Sequence, residues 1–169
     1  MKTYILLLRA VNVGGTGKLP MAELRVMCEA AGFQRVRTYI ASGNVVMESA
    51  DSEQQVKAAL ESRLERYAGK PVGVLVRTAP ELAAVLAANP FPDAAPNRVV
   101  AIFLDKAPPA DALEAVSGRS SEEIVLGKRE IYVHYGDGMA DSKLKIVAAK
   151  AGSARNVNTI AKLVEMAGQ

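Results

Sequence analysis

The chain has few of the side chains that most often do enzyme chemistry. Its 169 residues hold one cysteine, one histidine and no tryptophan, and aromatics make up only 5%. One cysteine excludes an intramolecular disulfide framework, and with one histidine it cannot complete a zinc site of familiar ligand count. No metal and no cofactor are expected. No apolar run approaches the roughly 20 residues needed to span a bilayer. The opening Met1–Arg9 has too short an apolar stretch for a secretory signal, with no small-residue cleavage site behind it. The expectation is a soluble, cytoplasmic protein without a membrane partner.

The scarce reactive residues have bland settings. Cys28 shares a helical face with Leu24 and Ala31, as a core thiol does. His134 sits in Glu-Ile-Tyr-Val-His-Tyr, on the strand face opposite Ile131, Val133 and Tyr135. Any Ser-His-Asp or Cys-His arrangement would have to use this one imidazole, and the sequence shows no positioned partner for it. Asp137 and Asp141 flank Gly138-Met139, which reads as a turn followed by a helix cap rather than a cation site. No catalytic residue is assigned.

What is abundant is aliphatic. Half of the residues are hydrophobic and 23% are charged, enough for a packed core of Leu, Val, Ile, Met and Ala. The net charge of +3 is spread unevenly. Residues 1–78 carry 11 Lys/Arg against 7 Asp/Glu, and residues 142–164 carry Lys143, Lys145, Lys150, Arg155 and Lys162 with no acid. Such a distribution fits either solvated helix faces or a surface facing an anion.

The periodicity predicts an α/β protein of two ferredoxin-like parts. Tyr4–Arg9 reads as a central strand, and Met21, Leu24, Cys28 and Ala31 as one face of a helix between Pro20 and Gly32. Arg35–Ile40 and Val45–Glu48 flank Ala41-Ser42-Gly43-Asn44 as a hairpin. Ser52 and Gln55 form a capping box for a helix bearing Val56, Leu60, Leu64 and Tyr67 and closed by Gly69, and Val72–Arg77 is the next strand. That order is the split βαβ unit, residues 1–78. Residues 79–97 read as a connecting helix, opened by a Thr78–Glu81 box, and a linker. Residues 98–169 repeat the plan: strand Val99–Leu104, helix Pro109–Val116, hairpin strands Glu123–Leu126 and Glu130–Tyr135, and a helix from about Asp141 with Leu144, Val147 and Ala148 inward. This second part is expected to end in helices, the last from about Asn158, where a closing strand would come.

The polar stretch Arg9-Ala-Val-Asn12-Val-Gly14-Gly15-Thr-Gly17-Lys18 follows the first strand. It is not a phosphate-binding P-loop, because Asn12 stands where the first glycine belongs and Leu19 where the hydroxyl belongs. In ferredoxin-like topology the first strand's C-terminus and the turn between the second and third strands share one sheet edge. Arg9, Asn12, Gly14, Gly15 and Lys18 are therefore expected to converge with Ser42, Gly43 and Asn44. Glycine amides could face an anion there, with Arg9 and Lys18 supplying charge, or the same residues could only close turns.

These residues carry a resemblance. Arg9-x2-Asn12-Val-Gly14-Gly15-x2-Lys18-x2-Met21-x2-Leu24-Arg25 and Gly32-Phe33-x2-Val36-x-Thr38-Tyr39-Ile40-x-Ser42-Gly43-Asn44-Val45 are similar to the uncharacterised bacterial family catalogued as domain of unknown function 1697. Ser142-Lys143-Leu144 and Ala154-Arg155-Asn156-x-Asn158-Thr159-x2-Lys162-Leu163 resemble its closing motifs, so the likeness runs the length of the chain. The family commonly has an aromatic where Val157 stands. The resemblance implies a two-part α/β fold and no established activity, catalytic residue or cofactor.

Three functional expectations stay open. The first is binding of a phosphate-containing metabolite or nucleic acid by the loop edge, with Lys143 of the acid-free segment and Arg155, Asn156 and Asn158 at a helix start as further candidates. Base stacking of the RNA-recognition kind is not expected, since the third strand Val45-Val46-Met47-Glu48 has no aromatic. The others are an enzyme acting on a small metabolite between the two parts, and a ligand-free interaction module. The oligomeric state is not legible.

Overall fold

The computed structural model describes residues 1–12, 18–136, 139 and 141–169. Among the described residues the protein is a mixed α/β chain with four α-helices and antiparallel sheets. It divides into two compact units, Met1–Ala83 with Lys162–Gln169, and Ala84–Ala161. No helix is long and apolar enough to cross a membrane among those residues.

The first unit runs β1 (Lys2–Leu8), α1 (Met21–Ala30), β2 (Gln34–Tyr39), β3 (Asn44–Ser49), α2 (Glu53–Ala68) and β4 (Val74–Thr78). Its sheet has the order β2-β3-β1-β4, every neighbour antiparallel. Alternation along β1 sends Tyr4, Leu6 and Leu8 into one core with Val45, Met47, Val74 and Val76, against Leu24 and Cys28 of α1 and Val56, Leu60 and Leu64 of α2. Ile5 and Leu7 on the other face are buried as well, which explains why β1 reads as an unbroken apolar run. Each such Leu or Val stabilises the unit by about 1.5–3 kcal/mol when fully buried.

The helix ends follow from local chemistry. Ser52 Oγ accepts from Gln55 N while Gln55 Oε1 accepts from Ser52 N, the expected capping box, and Gly69 closes α2 at a φ of 75°. Helix α3 (Ala79–Ala87) opens on the reciprocal Thr78–Glu81 pair. Helix α4 (Val157–Ala167) ends in the first unit, where Arg37 Nη1 donates to the Met166 carbonyl at 2.6 Å and Arg35 Nη2 to that of Gln169 at 3.0 Å. Two cations thus meet the negative end of a helix dipole.

The second unit carries β5 (Val99–Phe103), β6 (Val116–Ser117), β7 (Glu123–Leu126), β8 (Glu130–His134), β9 (Lys145–Ile146) and β10 (Ser153–Asn156). Four strands pair antiparallel in the order β10-β5-β8-β7, and β6 pairs with β9. Its core joins Val100, Ile102, Leu104, Ile124, Ile131, Val133 and Ile146.

Three expectations for this half are corrected. The helix expected over Pro109–Val116 is a 3₁₀ turn, Ala112–Ala115, running into β6. The helix expected from about Asp141 does not form. Ser142 Oγ accepts from Leu144 N, residues 145–146 pair with β6, and a 3₁₀ turn covers Val147–Ala149 with Val147 67% exposed. A side-chain turn bond followed by a strand pair has displaced the helical alternative. The missing closing strand is present as β10, with Ser153 opposite Phe103 and Asn156 opposite Val100. Its inward residues are Ser153 and Arg155, so no apolar alternation marks it.

Candidate functional site

Chain direction gathers three loops at one edge of the first sheet. Leu7 pairs with Asn44 and Leu8 with Val74, so β1 leaves the sheet where β3 and β4 enter it. The exit is pinned on both sides: Leu8 N donates to the Gly43 carbonyl and Arg9 N to that of Gly73, each at 2.9 Å. Gly43, at a φ of 88°, has no room for a side chain, because a Cβ would lie 2.8 Å from Leu8 Cβ and from Val11 Cγ2. The expected convergence of the Arg9 and Ser42–Asn44 segments is therefore present.

Most neutral donors there are taken up by the protein. Asn12 Nδ2 donates to the carbonyls of Leu19 (2.9 Å) and Ala41 (2.8 Å), and its Oδ1 accepts from Leu19 N at 2.6 Å. That one side chain ties both ends of its own loop to the hairpin turn. Asn44, fully buried, donates to the Tyr39 carbonyl and to Ser42 Oγ. Gly14 and Gly15 lie outside the described residues, as do Gly17, Asp137 and Gly138.

Beside these tied loops a cleft of about 360 Å³ opens. Arg9, Lys18 and Lys70 line it with Tyr67, over a floor that includes Val11, Leu19 and Leu64; no carboxylate is among its described lining residues. The Arg9 main chain is fixed by its N–H bond to the Gly73 carbonyl, and the Arg9 side chain runs past Gly73, where a Cβ would lie 3.6 Å from the arginine Cβ in ordinary contact. The wall from Lys70 to Gly73 is held by α2. Glu61 Oε2 accepts from Val74 N (2.9 Å), Lys57 Nζ donates to the Val74 carbonyl (2.5 Å), and the two side chains pair at 3.1 Å.

Sequence reasoning did not single out Lys70 or Tyr67 for the site. The available clue was that the strand after α2 also borders β1, so its preceding loop must reach the same edge.

The remaining candidates belong to the second unit and its helix. Arg155 is buried, its Nη1 donating to Ser153 Oγ (2.7 Å) and to the Ala154 carbonyl, and burial lowers its pKa to about 10. Asn156 Oδ1 accepts from Thr159 N at 2.9 Å, capping α4. Asn158 and Lys143 are exposed. Glu122 accepts from Ser120 N (2.6 Å) and Ser142 Oγ (3.1 Å), bonds that hold its carboxyl below the usual range. Burial pushes the Cys28 thiol up to about 12, as for a core residue. His134 Nδ1 lies 3.5 Å from Glu123 Oε1, with the ring tilted against Phe91. No group of three or more potential metal ligands occurs among the described residues.

The family model described as "Protein of unknown function (DUF1697)" matches residues 1–132, and the chain belongs to that family. A solved structure of a conserved bacterial protein from Streptococcus pneumoniae is similar, at 25% identity and a TM-score of 0.81, covering 100% of this chain and 99% of that one. No curated protein matches.

Proposed function

We propose that this member of the DUF1697 family binds a phosphate-containing anion in the first unit's cleft, through Arg9, Lys18 and Lys70. One observation carries the reading: three cationic side chains line a single concavity whose described lining has no carboxylate. Like charges gathered along one cleft repel one another, and a multivalent anion relieves that repulsion. The C-terminal end of α2 works against it, but a helix end contributes only about half an elementary charge, against three full cationic charges. Asn12, Ser42 and Asn44 contribute by holding the loops rather than by touching the ligand.

Strand order supports reading both four-stranded sheets as ferredoxin-like. In each, the first strand in sequence lies between the third and the fourth, with the second outside the third. In the second unit 3₁₀ turns stand where the helices would be.

The test is calorimetric titration of pyrophosphate into wild type and a Lys18→Ala/Lys70→Ala variant. Both lysines are exposed, so the melting temperature should hold while affinity falls at least tenfold. Wild-type affinity should also drop as salt rises. Binding unaltered by the double substitution would overturn the reading.

A further inference from the structure

We infer that the cleft takes a nucleoside phosphate, with the base lying on Tyr67 and the apolar floor and the phosphate among Arg9, Lys18 and Lys70. This rests on the anion reading above and adds the chemistry of the rest of the ligand. Inorganic phosphate or a sugar phosphate would engage the cations and leave the exposed Tyr67 ring unmatched. A flat apolar body covers that ring and removes its exposed surface from water.

Tyr67 is an independent observation. The chain has three Phe and five Tyr, and Tyr67, 48% exposed, is the one aromatic among the large exposed hydrophobic residues described. In a chain that buries its other aromatics wholly or partly, this ring stands at the wall of the cleft that holds the three cations. The cleft volume falls at the lower end of small-ligand sites. Its cations are gathered in one concavity rather than along a track, which favours a mononucleotide over a polymer.

The experiment compares AMP with ribose 5-phosphate, which carry the same phosphomonoester, by calorimetry at fixed low salt. Wild type should bind AMP at least tenfold more tightly. Tyr67→Ala should erase most of that preference, and Tyr67→Phe, which keeps the ring, should retain it. Lys18→Ala/Lys70→Ala should weaken both ligands alike. Equal affinities for the two ligands, both lost in the lysine variant, would overturn the nucleoside inference and leave the anion reading standing. No effect of the lysine substitutions on either ligand would remove the anion reading itself. A single-stranded oligonucleotide binding ten times more tightly than AMP, with steep salt dependence, would overturn the mononucleotide form.

Discussion

Ile40 sits at the tip of the β2–β3 hairpin with a φ of 48° and 48% of its surface exposed. A left-handed backbone costs an L-residue about 1–2 kcal/mol, and asparagine meets that cost more easily than a β-branched residue. Ile40→Asn is therefore expected to raise stability by about 1 kcal/mol, read as a higher midpoint in urea unfolding. An unchanged or lower midpoint would mean that local contacts repay the strain. Asn12, at a φ of 55°, has the residue type that this conformation favours. Its role shows how far single residues were legible. The sequence marks Asn12, Ser42 and Asn44 as polar groups at a loop edge, but not that the Asn12 and Asn44 amides are committed to Leu19, Ala41, Tyr39 and Ser42. Those partners are 2 to 29 residues away along the chain, and only topology brings the distant ones near.

At the scale of elements, α2 does two separable jobs. Its N-terminus is secured by Ser52, and its middle holds the cleft wall through Lys57 and Glu61 on Val74. Ser52→Ala is expected to cost about 1 kcal/mol of stability and leave pyrophosphate affinity unchanged. Glu61→Ala removes the acceptor of a main-chain N–H and is expected to cost about 1–3 kcal/mol, and to weaken pyrophosphate severalfold because the 70–73 loop loses its anchor. Titration of both variants distinguishes them, and equal affinity in the two would contradict the positioning role. Capping boxes were legible because both partners lie three residues apart. Strand β10 was not, because Ser-Ala-Arg-Asn has no apolar period and owes its place to pairing with β5. The false helix near Asp141 arose from the reverse case, in which Leu144, Val147 and Ala148 have helical spacing but Val147 faces solvent.

Across the whole molecule, buried acids set the alkaline limit of stability. Burial raises the Cys28 thiol from 9.0 to about 12, and the Tyr132 hydroxyl, which donates to the Val85 carbonyl, from 10.0 to about 12. The folded protein keeps these protons where the unfolded chain releases them. Their stabilisation is complete below about pH 9 and is lost progressively as pH rises towards 12. Urea midpoints between pH 8 and 11 should fall, and the fall should be shallower in Cys28→Ala. An identical slope in that variant would contradict the burial argument. Sheet order in the first unit was legible as a whole, since β1 and β4 had clear apolar runs and the hairpin had β-rich strands around a turn sequence. The cleft was legible only in part, because Lys70 and Tyr67 reach it through the β1–β4 pairing.

The most direct measurement is an amide-shift titration of the isotope-labelled protein with pyrophosphate. Saturable shifts centred on residues 9–11, 18–19 and 67–73, abolished by Lys18→Ala/Lys70→Ala, are expected. Shifts that are absent there, or that centre on Lys143 and Arg155 instead, would contradict the assignment of this cleft as the anion site.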